Sequence, residues 1–126
     1  MELKRLFERY GWAADEPEPG IWRARFSAET DEEFDLYALK DDQWLRLAVT
    51  PLRPPLQGRE LPRALLSLLE ANGKIAGARF ALDGDGDIAL QGDLPVVNLT
   101  FAQFATLLDE MILVVNEVAA QGGRWP

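Results

Sequence analysis

The spacing of apolar positions changes along the chain, and each change marks an element. Over residues 2–12, Leu3, Leu6, Phe7 and Tyr10 recur every three to four positions. Glu2, Lys4, Arg5, Glu8 and Arg9 take the other side, so the spacing predicts an amphipathic helix that Gly11 ends. The segment Ala13–Gly20 (AADEPEPG) is acidic and rich in proline and reads as a loop or linker. The period then falls to two. In Ile21–Ser27, Trp22, Ala24 and Phe26 oppose Ile21, Arg23 and Arg25. In Glu33–Lys40, Phe34, Leu36 and Ala38 oppose Asp35, Tyr37 and Leu39, and in Gln43–Thr50, Leu45, Leu47 and Val49 oppose Trp44, Arg46 and Ala48. Such alternation is what a sheet buried on one face requires. The joins Thr30-Asp31-Glu32 and Asp41-Asp42 are short, which makes the three strands antiparallel neighbours.

Pro51–Pro62 carries four prolines in twelve residues and reads as a loop. A second helix is expected over about 60–72, with Leu61, Leu65, Leu68 and Leu69 on one stripe, Pro62 in its first turn and Asn72-Gly73 as its stop. Alternation returns at 75–82 and resumes at Ile88 and Leu90, with Asp83-Gly84-Asp85-Gly86-Asp87 as the hairpin turn. The third helix opens on a capping box, Thr100 with Gln103, and runs Phe101, Phe104, Leu108, Met111, Val115 and Val118 along one stripe. Ala105, Leu107, Ile112, Val114 and Ala119 widen that stripe beyond what one sheet covers, so another helix or a second subunit is expected to meet it, and in the second case Leu107, Met111, Val114, Val115 and Val118 are the candidate dimer interface. The order α-β-β-β-α-β-β-α is that of an α+β fold: an antiparallel sheet covered by helices on one face. One domain accounts for residues 1–126, with Arg124–Pro126 as a tail.

Composition narrows the chemistry. The chain has no Cys and no His, which removes imidazole acid–base catalysis, a thiolate nucleophile, disulfides and Cys/His zinc sites. A net charge of −8 disfavours a nucleic-acid partner. The longest uncharged run, between Asp93 and Asp109, is 15 residues and too short to span a membrane, and the N-terminus has no signal-peptide core. The expectation is a soluble, cytoplasmic protein without a membrane partner.

The clusters that remain do not assemble a catalyst. Counted from Asp83, an EF-hand wants Gly at the sixth position and an acid at the twelfth, where the chain has Ile88 and Leu94, so Asp83, Asp85 and Asp87 read as a turn and not as a metal site. Asp31, Glu32, Glu33 and Asp35 lie at a tight turn, where water solvates them all and does not separate two pKa values. Ser27 and Ser67, the only serines, lie outside any Gly-x-Ser-x-Gly elbow. No enzymatic activity, catalytic residue, metal or cofactor is expected. The outward face of the sheet is richer. It carries Arg23, Arg25, Tyr37, Trp44, Arg46 and Arg79, types enriched at protein interfaces, and these are the candidate partner-binding residues. Cross-strand pairing, with Arg stems lying over aromatic rings, accounts for the same residues and stands open beside that reading.

Several local sequences occur in a particular order: Ile21-Trp22 with Phe26, Asp41-Asp42-Gln43-Trp44-Leu45, Leu68-Leu69-Glu70-Ala71-Asn72, then Ala78-Arg79-Phe80-Ala81-Leu82-Asp83 followed by Gly86-Asp87-Ile88. In this order, and with the acidity and small size, the chain resembles the YbjN family, which is similar to the type III secretion chaperone (CesT-like) fold. The resemblance implies a bacterial, acidic homodimer that holds a segment of an unidentified client protein, with a regulatory or stress-related role. It carries no catalytic residues. The alternative expectation is a small-ligand-sensing domain, with a pocket between the C-terminal helix and the sheet lined by Trp22, Phe26, Phe80 and Phe104.

Overall fold

The three period-two runs and the hairpin join one sheet. The computed structural model describes residues 2–53, 58 and 61–122. In chain order the elements are α1 (Leu3–Tyr10), β1 (Asp15–Glu18), β2 (Ile21–Ser27), β3 (Glu33–Lys40), β4 (Trp44–Arg53), α2 (Leu61–Asn72), β5 (Ala78–Leu82), β6 (Ile88–Pro95) and α3 (Phe101–Ala120). The strands form a six-stranded sheet in the order β1-β2-β3-β4-β6-β5, and every neighbouring pair is antiparallel. The α+β expectation holds, with one strand more than the alternation predicts. The expected tail, Arg124–Pro126, lies outside the described residues.

Two segments differ from the expectation, for one reason. β1 lies in the stretch expected as a loop: Asp15 pairs with Arg23 and Glu18 with Ile21. All four of its side chains are exposed, so no alternation marks it. An acidic, proline-bearing strand is also well suited to a sheet edge, where it discourages pairing with another chain. β4 continues past Thr50 to Arg53, through Pro51. The β3 ladder ends at the Leu36–Val49 pair, and the β6 register shifts between Val49 and Arg53. Proline, which has no N–H to give a ladder, is tolerated at such an irregularity.

The inward residues of the strands and the three helices share one core. Leu36, Leu45, Leu47, Ile88 and Leu90 are fully buried against Leu6, Phe7, Phe104, Leu108 and Met111. The capping box forms as expected: Thr100 Oγ1 accepts from Gln103 N at 3.2 Å and Gln103 Oε1 accepts from Thr100 N at 3.0 Å. α3 comes close to β6 because Gly92 has no side chain, since a Cβ there would stand 2.8 Å from Leu107 Cδ1. On its other flank α3 meets α1. Phe104 packs edge-on against Phe7, with centroids 5.3 Å apart, and Tyr10 donates to Asp109 Oδ1. Burial, and next the Asp109 carboxylate, push the Tyr10 hydroxyl pKa well above its ordinary value.

This arrangement corrects the expected dimer surface. Leu107, Met111, Val114, Val115 and Val118 are between 0% and 5% exposed within the single chain. The sheet and α1 together cover the stripe, so of the two expected covers it is another helix, and not a second subunit, that buries these five residues. The large apolar side chain that α3 leaves in solvent is Leu113, at 54%.

The C-terminal end of α3 is tied down by a residue expected in a loop. Arg53, at the end of β4, is 9% exposed. Its Nη2 donates to the carbonyls of Val118 at 2.9 Å and Gly122 at 2.7 Å, and its Nη1 donates to Glu32 Oε2 and Leu52 O, each at 3.1 Å.

Candidate functional site

With all three helices on one face, the other face of the sheet is open. Strand register builds it in rows. One row runs Asp15, Arg23, Tyr37, Ala48, Gln91, Arg79 across all six strands, and the next runs Ile21, Leu39, Arg46, Asp93. The six candidate residues, Arg23, Arg25, Tyr37, Trp44, Arg46 and Arg79, therefore do share this face.

Three of its four arginines are held by carboxylates of the same face. Arg23 Nη2 lies 2.7 Å from Asp15 Oδ2, Arg25 Nε 2.9 Å from Asp35 Oδ1, and Arg79 Nη2 2.9 Å from Asp93 Oδ2. The hydrogen bond from Arg23 holds the Asp15 carboxyl below the usual carboxylate range, and the carboxylates of Asp15 and Asp35 raise the pKa of Arg23 and Arg25. Solvent reaches all three pairs, so they set side-chain direction more than they set stability. Arg46 makes no salt bridge among the described residues.

Between the pairs lies an apolar strip. Leu39 is 42% exposed and Trp44 40%. Ile21, Tyr37, Leu39 and Ala48 floor a cleft of about 550 Å³, walled by Pro17 and Glu18 of β1 on one side and by Pro51 and the Asp83–Asp87 turn on the other. Ile21 and Leu39 are absent from the candidate set, although their place was legible: alternation puts both on the outward face. Plain aliphatic residues carry none of the Arg and aromatic enrichment that marks an interface in a sequence.

The acidic wall is a hairpin turn, as expected. Gly86 N donates to Asp83 O at 3.0 Å and Asp83 N to Asp87 O at 2.9 Å. Carboxylate oxygens of Asp83, Asp85 and Asp87 lie within 4.8 Å of one another. Asp83 is the organising member. It accepts from the Thr50 hydroxyl and from the backbone N–H groups of Asp85 and Asp87, and the Thr50 bond is the chief reason its carboxyl titrates below the ordinary value. A depressed folded pKa contributes stability that is present above the unfolded pKa and is lost as pH falls through the folded one. Thr50→Val is expected to move the Asp83 midpoint up, which a carboxyl NMR titration reads. An unmoved midpoint would mean that the hydroxyl is not the partner that matters.

The remaining acids do not converge. Asp35 faces Arg25, whereas Glu32 receives Arg53 and is 45% exposed. The four rings expected to line a pocket do not line one together. Phe26 stacks on Trp12 at 5.0 Å, Phe104 lies among Phe7, Tyr10 and Phe101, Phe80 borders a cleft beside α2, and Trp22 borders another beside the start of α1. Ring packing accounts for Phe26 and Phe104. A cleft does lie between α3 and β6, but Leu94, Ala102, Thr106 and Leu107 line it and the four rings do not.

No helix of the described residues is long and apolar enough to cross a membrane. No protein-family model matches the chain, and no curated protein matches its sequence. Solved structures do match. A chain of the heterodimeric ExoU–SpcU complex from the type III secretion system of Pseudomonas aeruginosa superposes with a TM-score of 0.67 at 16% identity, over 94% of this chain and 96% of that one. A chain of the HopA1–SchA chaperone–effector complex gives 0.57 at 17% identity, over 90% and 92%. Sequence identity this low with near-complete coverage is agreement of architecture, and the chain has the fold of the type III secretion chaperones.

Proposed function

We propose that this chain is a non-catalytic, chaperone-like module that holds a segment of a partner protein against the open outer face of its sheet. The observation that carries the reading is the uncovered strip of Ile21, Tyr37, Leu39 and Trp44, bordered by arginines already aimed by their carboxylates. Exposed apolar and aromatic side chains supply contact area, while pre-ordered charges at the border fix register at little further entropic cost. The two structural neighbours come from a heterodimer and from a chaperone–effector complex, which supports a protein client. The YbjN-like order of local sequences accords with a bacterial, cytoplasmic chaperone of this fold. The chain lacks the His and Cys that most small catalytic sites use, and its −8 charge keeps a sticky surface soluble.

A photo-crosslinking residue at position 39 is expected to capture one or a few proteins in the source cell, and Leu39→Asp with Trp44→Asp to abolish their recovery while leaving the far-UV spectrum unchanged. Recovery of the same proteins by the variant, or of bulk protein by both, overturns the reading. Homodimerisation belongs to the same proposal and rests on α2, where Leu66 is 58% and Leu69 69% exposed. Light scattering is expected to give twice the chain mass of 14.1 kDa, and a single mass for Leu66→Asp/Leu69→Asp. A wild-type monomer at all concentrations removes the dimer from the proposal.

A further inference from the structure

A second open surface lies on the helical side. One cleft of about 450 Å³ runs between the first half of α3 and the segment Ala76–Gly77, with Thr106 and Leu107 in its wall. Another, of about 310 Å³, runs between the second half of α3 and the end of α2, with Ile75, Leu113 and Val114 in its wall. Glu110 borders both. Residues 103, 106, 107, 110, 113, 114 and 117 follow one another at helical spacing, so the two clefts are consecutive lengths of a single groove along α3.

The groove has a definite chemistry. The apolar lining that reaches solvent is Ala76, Leu94 and Ala102 along the first length and Ile75 and Leu113 along the second, above the buried Leu107 and Val114. Glu70, Glu110 and Glu117 border it and form no salt bridge among the described residues, whereas Asp93 is paired with Arg79. Among the described residues Lys74 is the one cation in its lining, and α3 itself carries no Lys or Arg. Glu110 and Glu117 are seven residues apart, two turns or roughly 10.5 Å along the helix, which is the repeat of a heptad partner.

The groove also lacks what an extended segment needs. Its nearest sheet edge is β5, and there the Asn72 carboxamide occupies the place of a strand: Oδ1 accepts from Phe80 N at 2.7 Å and Nδ2 donates to Phe80 O at 3.2 Å. That rung is closed to an added strand, which favours a docked helix at this point of the edge. A second copy of this chain, with its −8 charge, is a poor electrostatic match for an acidic border.

We propose that the α3 groove takes a basic amphipathic helix of the partner protein, with its apolar stripe on Leu94, Ile75 and Leu113 and its Lys or Arg side chains against Glu110 and Glu117. The inference rests on the protein-binding reading above and adds a second surface to it. Because the chain has no Cys, Thr106→Cys carries a single environment-sensitive dye in the groove, and Arg46→Cys carries the same dye on the outer sheet face. The probe is a synthetic 21-residue helix with Leu at heptad a and d positions and Lys elsewhere, and its counterpart with Glu in place of Lys. The Lys helix is expected to shift the Thr106→Cys dye saturably at one to one, and the Glu helix to leave it unmoved. Glu110→Lys/Glu117→Lys is expected to weaken binding at least tenfold. Glu8→Lys/Asp42→Lys makes the same charge change on other surfaces and is expected to hold within about threefold.

Equal loss from the two charge pairs would reduce the effect to the overall charge of the protein and overturn the groove. A response of the Arg46→Cys dye alone would overturn it as well. Failure of the protein-binding reading itself is seen elsewhere, in the capture experiment at position 39, which does not involve this groove.

Discussion

Phe104→Ala is expected to lower the unfolding free energy by about 3–5 kcal/mol, the range for removing a buried aromatic ring and leaving its space unfilled. Phe104 is 0% exposed and joins three parts of the core. It lies edge-on to Phe7 of α1 at 5.3 Å and 85°, edge-on to Tyr10 at 6.3 Å, and tilted against Phe101 at 6.4 Å. α3 is already packed closely on β6, where a Cβ at Gly92 would stand 2.8 Å from Leu107 Cδ1, so the space is expected to collapse only in part. Domains of this size are stable by about 5–15 kcal/mol, so the loss is a large share of the whole. Urea unfolding followed by far-UV circular dichroism measures it. Leu113→Ala, on the exposed side of the same helix, is expected to stay within about 0.5 kcal/mol. Similar midpoints for the two variants would show that the two faces of α3 do not differ as described.

The contrast between Phe104 and Leu113 shows how much of the fold was legible. Period-two runs at 21–27, 33–40 and 43–50 name their buried faces residue by residue, and Ala24, Leu36, Leu47 and Val49 are buried accordingly. A helix period and a capping box likewise suffice for α3. Where alternation was absent, sequence reasoning had nothing to read. β1 buries no side chain, so only its pairing with β2 makes it a strand.

Burial of the α3 stripe posed a different difficulty. The width of its apolar surface is legible, but what covers it depends on how β6 and α1 come together in space, and that placement is not written in a local period. The outer face was legible in its charges. Arg23, Arg25 and Arg79 stand on the side that alternation assigned, and cross-strand pairs hold them, with Asp15, Asp35 and Asp93 as partners in place of the expected aromatic rings. Such pairing does not exclude a binding role, because it leaves Leu39, Trp44 and Arg46 outside the pairs.

Arg53 was the residue least visible in the sequence, since a charged side chain after a proline reads as a solvated loop. Arg53→Ala is expected to cost about 3 kcal/mol, and the reason is the helix end it serves. α3 has no basic residue in its last turn, so its terminal carbonyls, which carry partial negative charge, find no cation on the helix itself. The Arg53 guanidinium supplies that charge from β4, bonding Val118 O and Gly122 O in a setting from which most water is excluded. The Glu32 carboxylate also touches it at 3.1 Å, but Glu32 is 45% exposed, and a pair open to solvent contributes about 0–1 kcal/mol.

The two bonds can be ranked by experiment. Glu32→Gln is expected to change the urea midpoint little. Arg53→Ala is expected to shift it substantially and to speed amide exchange in the last turn of α3 before exchange rises elsewhere. Arg53→Lys is expected to fall between them, because an ammonium restores the charge but not the planar fork that reaches two carbonyls from one nitrogen. If Glu32→Gln cost as much as Arg53→Ala, the ion pair and not the helix end would be the reason for burying a guanidinium, and the strand-to-helix tie described here would be incidental to the fold.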